Sequence, residues 1–184
     1  EKGEEARGGG VRCRMAVALR GQGERVGLEY TGSDAQVRSS LNMPTGGRGR
    51  HPVALVGVTY VLSTLDRALL LNAGTLRPTR AILPPGTIMN CEAPAAVGMR
   101  SLTCAMSQIA TVGAFSLAMP DRLPANSPGG NSIINIRTVD AQNRTVVASL
   151  GPVRGGAGGT PTHDGLDGSG GLPDRTSTRL ISCH

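Results

Sequence analysis

An α+β fold is the architecture this sequence predicts: antiparallel strands packed with two main buried helices, joined by Gly-rich loops. Three observations predict it. Two apolar stretches, one from Pro52 and one from Ser101, carry helical spacing. Runs near both ends alternate apolar and polar residues, as strands do. The 184 residues also include 27 Gly and 12 Pro, which places many tight loops between the elements. Apolar content of 39% supports a packed core rather than disorder. With 2 Tyr, 1 Phe and no Trp, that core must be built from Ala, Val, Leu, Ile and Met. A compact chain of this size buries roughly 70% of its unfolded surface, so one domain with tails is expected.

The elements follow in order. Residues 1–10 are charged and Gly-rich and read as a frayed end. Val11, Cys13, Met15, Val17 and Leu19 alternate with polar or small residues, which is strand periodicity. Gly21-Gln22-Gly23-Glu24 reads as a turn, and Arg25 to Tyr30 as the returning strand of a hairpin. Met43 to Arg50, with three glycines, reads as a mobile loop. Pro52 suits a first helical turn, and the nearly all-round apolar run after it predicts a buried helix to about Leu71, with strand the alternative for its Val-rich half. Asn72-Ala73-Gly74 would end that helix, Gly74 serving as a left-handed cap. Leu76 to Pro85 reads as extended, and Pro84-Pro85-Gly86-Thr87 as a turn.

The second helix is expected over Ser101 to Met119, with Ser101 as N-cap and Pro120 as stop. Leu102, Met106, Ile109, Val112 or Gly113, and Leu117 form its apolar stripe. Ser132 to Thr138 and Thr145 to Ser149 read as strands about an Asp140-Ala141-Gln142-Asn143 turn, and Gly151 to Gly171 as a Gly-rich loop. No internal repeat is present.

Charge and cysteine usage narrow the function classes. The net charge is +6, and Lys2 is the only lysine among 19 basic residues. The arginines are scattered and the rings too few to make stacking platforms, which argues against nucleic-acid binding. The longest apolar run, Pro52 to Ser63, is too short for a bilayer span. The opening Glu1-Lys2-Gly3-Glu4-Glu5 has no apolar signal region, and Cys13, Cys91, Cys104 and Cys183 are widely spaced. Both features predict a cytoplasmic protein with reduced, buried cysteines.

Motifs with chemical content are few. Gly155-Gly156-Ala157-Gly158-Gly159 can form either an anion-binding nest or a flexible turn, but no Gly-x-Gly-x-x-Gly or Gly-Lys-Ser/Thr accompanies it, so no nucleotide site is expected in this chain. His163-Asp164-Gly165-Leu166-Asp167 sets one His and two carboxylates within five residues, which reads as a solvated turn or, less simply, a metal loop. We assign no metal to it. His51, before an apolar run, reads as a helix-end residue, and Cys91 and Cys104 as inert packing thiols. Arg100, just before the second helix, reads as an exposed charge or, less simply, as a partner of that helix's N-terminal amides in holding a carboxylate or phosphate.

A series of short motifs then falls in one order. Leu41-Asn42-Met43-Pro44, Leu71-Asn72-Ala73-Gly74, Arg77-Pro78, Pro84-Pro85-Gly86-Thr87 and Pro94-Ala95-Ala96-Val97-Gly98 are followed by Pro120-Asp121-Arg122-Leu123-Pro124-Ala125, Gly155-Gly156-Ala157-Gly158, Asp164-Gly165 and Thr176-Ser177-Thr178-Arg179. The series resembles the C-terminal part of the hydantoinase B / 5-oxoprolinase family, related to N-methylhydantoinase and to acetone and acetophenone carboxylase subunits. The resemblance covers residues 29–179, with 1–28 as an N-terminal segment and hairpin start and 180–184 as a tail. It implies a fragment of a B-type subunit of an ATP-dependent hydrolase of cyclic amides such as hydantoins or 5-oxoproline, in a hetero-oligomer with a hydantoinase A-like subunit that holds ATP. A ketone carboxylase subunit and a non-catalytic structural subunit are the alternatives.

The resemblance further implies a divalent metal in an N-terminal half that this sequence lacks, and no cofactor bound by this chain itself. The family's Glu before the Gly-rich loop is replaced within Leu150-Gly151-Pro152-Val153-Arg154, and its Thr-Asn-Thr-Arg reads Thr176-Ser177-Thr178-Arg179. Within the chain, Arg100 is expected to bind an anionic group of the substrate, and His163 and Asp164 to handle protons.

Overall fold

The computed structural model of the chain describes residues 10–20, 25–127 and 131–165. Its elements are β1 (Ala16–Arg20), β2 (Arg25–Glu29), α1 (Pro52–Leu65), β3 (Thr79–Ile82), α2 (Arg100–Ala118), β4 (Asn131–Val139) and β5 (Thr145–Arg154). The fold class is α+β, as expected. Two compact units divide the chain, Glu1–Ala114 and Phe115–His184.

The first unit is built on a three-stranded sheet in the order β1-β2-β3. β1 and β2 pair antiparallel, Ala16 opposite Glu29, whereas β2 and β3 pair parallel, Val26 opposite Thr79. The sheet is therefore mixed rather than purely antiparallel, because the connection from β2 to β3 carries α1, and a helix-bearing crossover returns the chain in the same direction. The expected first strand is shorter than its alternation. Residues before Ala16 are held instead by the loop at 33–34: Arg12 N donates to Asp34 Oδ2 at 2.7 Å, and Ser33 Oγ donates to Arg14 O at 3.0 Å.

Helix α1 begins with Pro52 at its first turn and buries Ala54, Leu55, Gly57, Val58 and Val61. Its β-branched and hydroxyl residues are accommodated by back-bonding, Ser63 Oγ to Thr59 O at 2.9 Å and Thr64 Oγ1 to Tyr60 O at 2.9 Å. It ends at Leu65, six residues before the expected Leu71. Asp66 is extended, and its carboxylate accepts the Ala68 amide at 2.9 Å, a turn that outcompetes another helical turn. Gly74 does not cap it. The positive-φ glycines among the described residues are Gly32, Gly46, Gly47 and Gly86, the last in the expected Pro84–Thr87 turn.

The segment from Met43 to Arg50 is anchored rather than loose. Met43 and Thr45 are buried; Met43 N donates to Ile88 O at 2.8 Å, Thr45 Oγ1 donates to Met89 O at 2.7 Å, and Gly46 and Gly47 turn the chain with φ of +61° and +67°. Just before it, the fully buried Asn42 closes a clasp: its Oδ1 accepts Val37 N at 2.8 Å, and its Nδ2 donates to Val37 O, Ser39 O and Ala96 O at 2.7, 3.0 and 2.9 Å. Leu28, Tyr30, Leu55, Val58 and Met89 fill the surrounding core, each contributing about 1.5–3 kcal/mol by burial for its aliphatic or ring surface.

Helix α2 starts at Arg100, one residue before expected, so Ser101 lies inside it rather than capping it. The expected apolar stripe is only partly inward: Gly113 is buried, and Leu102, Ile109 and Val112 are half-buried. Thr103, Ser107 and Thr111, at four-residue intervals, are buried, while Met106 is 51% and Leu117 88% exposed. Thr103 Oγ1 donates to Leu41 O at 2.6 Å and Thr111 Oγ1 to Ser107 O at 2.8 Å, so the inward hydroxyls are paired. By length and composition α2, not α1, reaches what a bilayer span needs, with mean hydropathy 1.3 over 18 residues, but its hydroxyl side is the buried one. Gly57 of α1 meets Thr111 so closely that a Cβ there would stand 2.6 Å from Thr111 Cβ.

In the second unit, β4 and β5 form an antiparallel hairpin, Val139 opposite Thr145. Its turn is set by Asn143 at φ 57° and by Asp140, whose carboxylate is held below the usual range chiefly by the Arg144 amide at 2.9 Å and then by the Arg144 guanidinium at 2.8 Å. β5 continues to Arg154, through residues expected to be loop. Pro152 is tolerated because it falls in the register shift between the Ser132–Val153 and Ile134–Leu150 pairs, where it interrupts no ladder bond. The expected turn at Gly21–Glu24, the frayed 1–9 segment and everything from Leu166 onward lie outside the described residues.

Three stability predictions follow from this packing. Asn42→Ala strands the amide and carbonyls it serves, and urea denaturation should show a loss of roughly 3 kcal/mol. Gly57→Ala should cost about 1–3 kcal/mol by overpacking the α1–α2 contact, with Thr111→Gly restoring part of it. His51 sits at the N-cap of α1 with Nδ1 buried and unbonded, and burial followed by the Arg48 charge lowers its pKa from the ordinary 6.5. The folded state thus binds fewer protons than the unfolded one, so this stabilisation is complete above 6.5 and lost as pH falls below it. Denaturation midpoints at pH 7.5 and 5.5 should differ more for wild type than for His51→Gln.

Candidate functional site

Arg100, His163 and Asp164 occupy two different units. Arg100 lies in the first, at the start of α2, where Met99 N donates to Ser40 O at 2.8 Å and fixes the entry of the helix. Its side chain is exposed, and Nη1 folds back to donate to Val97 O at 3.1 Å. The same carbonyl accepts Arg100 N at 3.2 Å, and Leu102 N donates to Met99 O at 3.0 Å. Two amides of the helix start are thus already engaged by the preceding turn. What remains for an anion is the outer face of the guanidinium.

His163 and Asp164 lie in the second unit, on a tight turn. Thr160 N donates to His163 O at 2.8 Å, and His163 N donates to Thr160 Oγ1 at 3.0 Å. Thr162 Oγ1 lies 2.8 Å from His163 Nδ1, which leaves Nε2 directed away from that contact and available to a substrate. Both side chains are exposed. Asp167, the third member of the acidic loop motif, lies outside the described residues. Among the described residues no three His, Cys, Asp or Glu side chains come together as metal ligands.

The glycine run behind this turn is a packed seam. Ala125 N donates to Gly159 O at 2.7 Å and Ser127 Oγ donates to Gly156 O at 2.7 Å. A Cβ at Gly158 would overlap the Ala125 carbonyl, and one at Gly165 the Ala157 carbonyl. None of residues 155–159 has the positive φ that an anion nest needs. Glycine is required here for close backbone approach rather than for anion binding or flexibility. The resemblance motif Asp164-Gly165 is explained in the same way: Gly165 lets the turn lie against Ala157.

The three described cysteines are packing groups, half-buried rather than fully buried, and Cys183 lies outside the described residues. Cys13, Cys91 and Cys104 are free and half-buried. Burial raises the thiol pKa of Cys13 and of Cys104, against smaller opposing hydrogen bonds from Ser33 and Gln108. Tyr30 is likewise raised by burial, and its hydroxyl donates to Ala54 O at 3.3 Å, so it is a structural phenol.

One feature escaped sequence reasoning. Arg25, Arg50, Arg77 and Arg80 converge on an open cleft of about 790 Å³ in the first unit, floored by Pro78 and Thr79. The parallel β2–β3 pairing brings Arg25 beside this floor, since Val26 N donates to Pro78 O at 3.1 Å. Arg50 arrives from the anchored 43–50 segment, and Gly49 lets the Arg80 stem lie across it, with Cγ and Nε 3.2 Å from where a Cβ would stand. Arg77 and Arg80 are close in sequence, but the others are far away, so no spacing could announce the cluster. The only local sign was an arginine beside a turn residue, as in Gly49-Arg50 and Arg77-Pro78.

The sequence profile of the hydantoinase B/oxoprolinase family matches residues 2–179. Among solved structures, the chain is similar to acetone carboxylase in its nucleotide-free form, described with the mechanism of ATP-dependent acetone carboxylation, at TM-score 0.63 and 17% identity over 90% of this chain. At that identity the likeness is one of fold, and this chain spans 23% of the length of the acetone carboxylase chain. The ordered motifs, the α+β architecture and a profile match over nearly every residue lead to one conclusion: this chain belongs to the hydantoinase B/oxoprolinase family.

Proposed function

We propose that this chain is part of a B-type subunit of a cytoplasmic, ATP-dependent enzyme that hydrolyses cyclic amides of the hydantoin or 5-oxoproline kind. The observation that carries the reading is the family match across residues 2–179. The enzyme works as a hetero-oligomer in which a hydantoinase A-like subunit binds ATP and phosphorylates the substrate. A lactam or imide carbonyl is a poor electrophile, and phosphorylating its oxygen creates a leaving group that water can displace.

The divalent metal implied by the family is assigned to the remainder of the B-type subunit, where the family carries its His and Asp metal motifs. This chain's contribution lies in its exposed polar groups. Arg100 binds an anionic group of the substrate through its free guanidinium face, and His163, with Asp164 beside it, moves a proton at Nε2. All three are exposed, which leaves them accessible to a substrate held by another part of the assembly.

The similarity to acetone carboxylase favours a second reading, in which the activated species is carboxylated rather than hydrolysed. One assay separates them. The complete B-type subunit is co-expressed with its A-type partner and supplied with ATP and, in parallel reactions, hydantoin, 5-oxoproline, or a ketone with bicarbonate. Release of the ring-opened acid supports the hydrolase, bicarbonate-dependent ATP use on a ketone supports the carboxylase, and absence of both rejects an enzymatic role. In the active complex His163→Ala should lower kcat about a hundredfold, and Arg100→Ala should raise KM about tenfold. Unchanged kinetics would remove those residues from the site.

A further inference from the structure

We propose that the arginine cleft of the first unit is a binding site for the phosphate groups of an oligophosphate ligand. Four arginines, Arg25, Arg50, Arg77 and Arg80, line one concavity of about 790 Å³ with no carboxylate among the described lining residues. None of the four makes an ion pair or a side-chain hydrogen bond among the described residues; the ion pair found there joins Arg144 to Asp140 on the hairpin turn. Like charges gathered in one cleft repel one another, so the arrangement is at its most favourable when an anion of matching charge occupies it.

The lining also excludes other ligand classes. Besides the arginines it offers Gly, Pro and Thr, with no aromatic ring and no large aliphatic side chain, so nothing there would sandwich a base or bury a large apolar body. Thr79 adds no free donor, because its hydroxyl already donates to Leu76 O at 2.6 Å. Among the lining side chains, the charged donors are the guanidinium forks. A fork satisfies one carboxylate edge in bidentate fashion, whereas each phosphoryl group presents three oxygens that several forks can share. Four cations from three separate stretches of chain suit two or three linked phosphoryl groups better than a single one. The site does not depend on the hydrolase reading, and its test needs no turnover.

Inorganic pyrophosphate titrated calorimetrically into the full chain at low ionic strength should give a saturable one-to-one isotherm that weakens steeply with added salt. Orthophosphate and citrate should bind more weakly. Arg50→Gln with Arg80→Gln should weaken pyrophosphate binding roughly a hundredfold, with far-UV circular dichroism showing the fold retained. Arg122→Gln with Arg137→Gln, which removes the same charge from exposed positions that do not line the cleft, should leave binding within about twofold. An isotherm that fails to saturate, citrate binding as tightly as pyrophosphate, or an equal loss in the two double variants would each overturn the proposal.

Discussion

The buried amide of Asn42 is the constraint on which the larger unit depends. From a fully buried position it serves Val37, Ser39 and Ala96 at once. Each buried polar group left unpaired costs about 1–3 kcal/mol, so the 37–42 turn and the 96 segment have little freedom once the amide is seated. Neighbouring bonds extend the same seam. Gln36 pairs its side-chain amide with both backbone groups of Glu92, Met43 takes Ile88, and Met99 and Thr103 return to Ser40 and Leu41. The start of α2, and with it Arg100, is thereby set by a ladder of polar contacts running from residue 36 to residue 43.

Helix α2 shows how such a seam overrides hydrophobic pattern. Its apolar spacing predicts that Met106 and Leu117 face inward, yet the hydroxyl stripe of Thr103, Ser107 and Thr111 is buried instead. Small hydroxyl residues allow a closer helix approach than Leu or Met, and their polar atoms are paired with Leu41, Ser107 and neighbouring groups, so no desolvation cost is left uncompensated. Gly57 on α1 completes the close contact by lacking a Cβ where Thr111 lies. The interface is selected by fit and hydrogen bonding at short range, while amphipathicity reports only the helix itself.

This distinction governs how much could be read from residues alone. Local signals were legible: the Pro52 start of α1, the Pro84–Thr87 turn with Gly86 at φ +70°, and both hairpin strands about Asp140–Asn143. The family resemblance was legible because its motifs are structural joints. Asn42 and Met43 are buried, Asn72 closes a turn on Gly74 at 2.7 Å, and Gly158 lies against Ala125. Non-local outcomes were not legible. The parallel β2–β3 register joins residues more than fifty positions apart, and the 43–50 segment looks loose until Ile88 and Met89 arrive to receive it. The arginine cleft belongs to the same class, since its members become neighbours only through that register.

The positive character of the first unit has a structural origin as well. Among the described residues, three of its carboxylates are engaged by backbone amides or a nearby hydroxyl: Asp34 accepts Arg12 N, Asp66 accepts Ala68 N, and Glu29 accepts Thr31 Oγ1. Loops must find acceptors for their amides, and a short acidic side chain two residues or one turn away is the nearest one. Acids fixed in this role cannot reach across the surface to pair with arginines. The net charge of +6 is therefore more than an excess of one residue type. Among the described residues of this unit it is expressed as exposed arginines that line one cleft, while Glu29, Asp34 and Asp66 serve the turns that shape the fold.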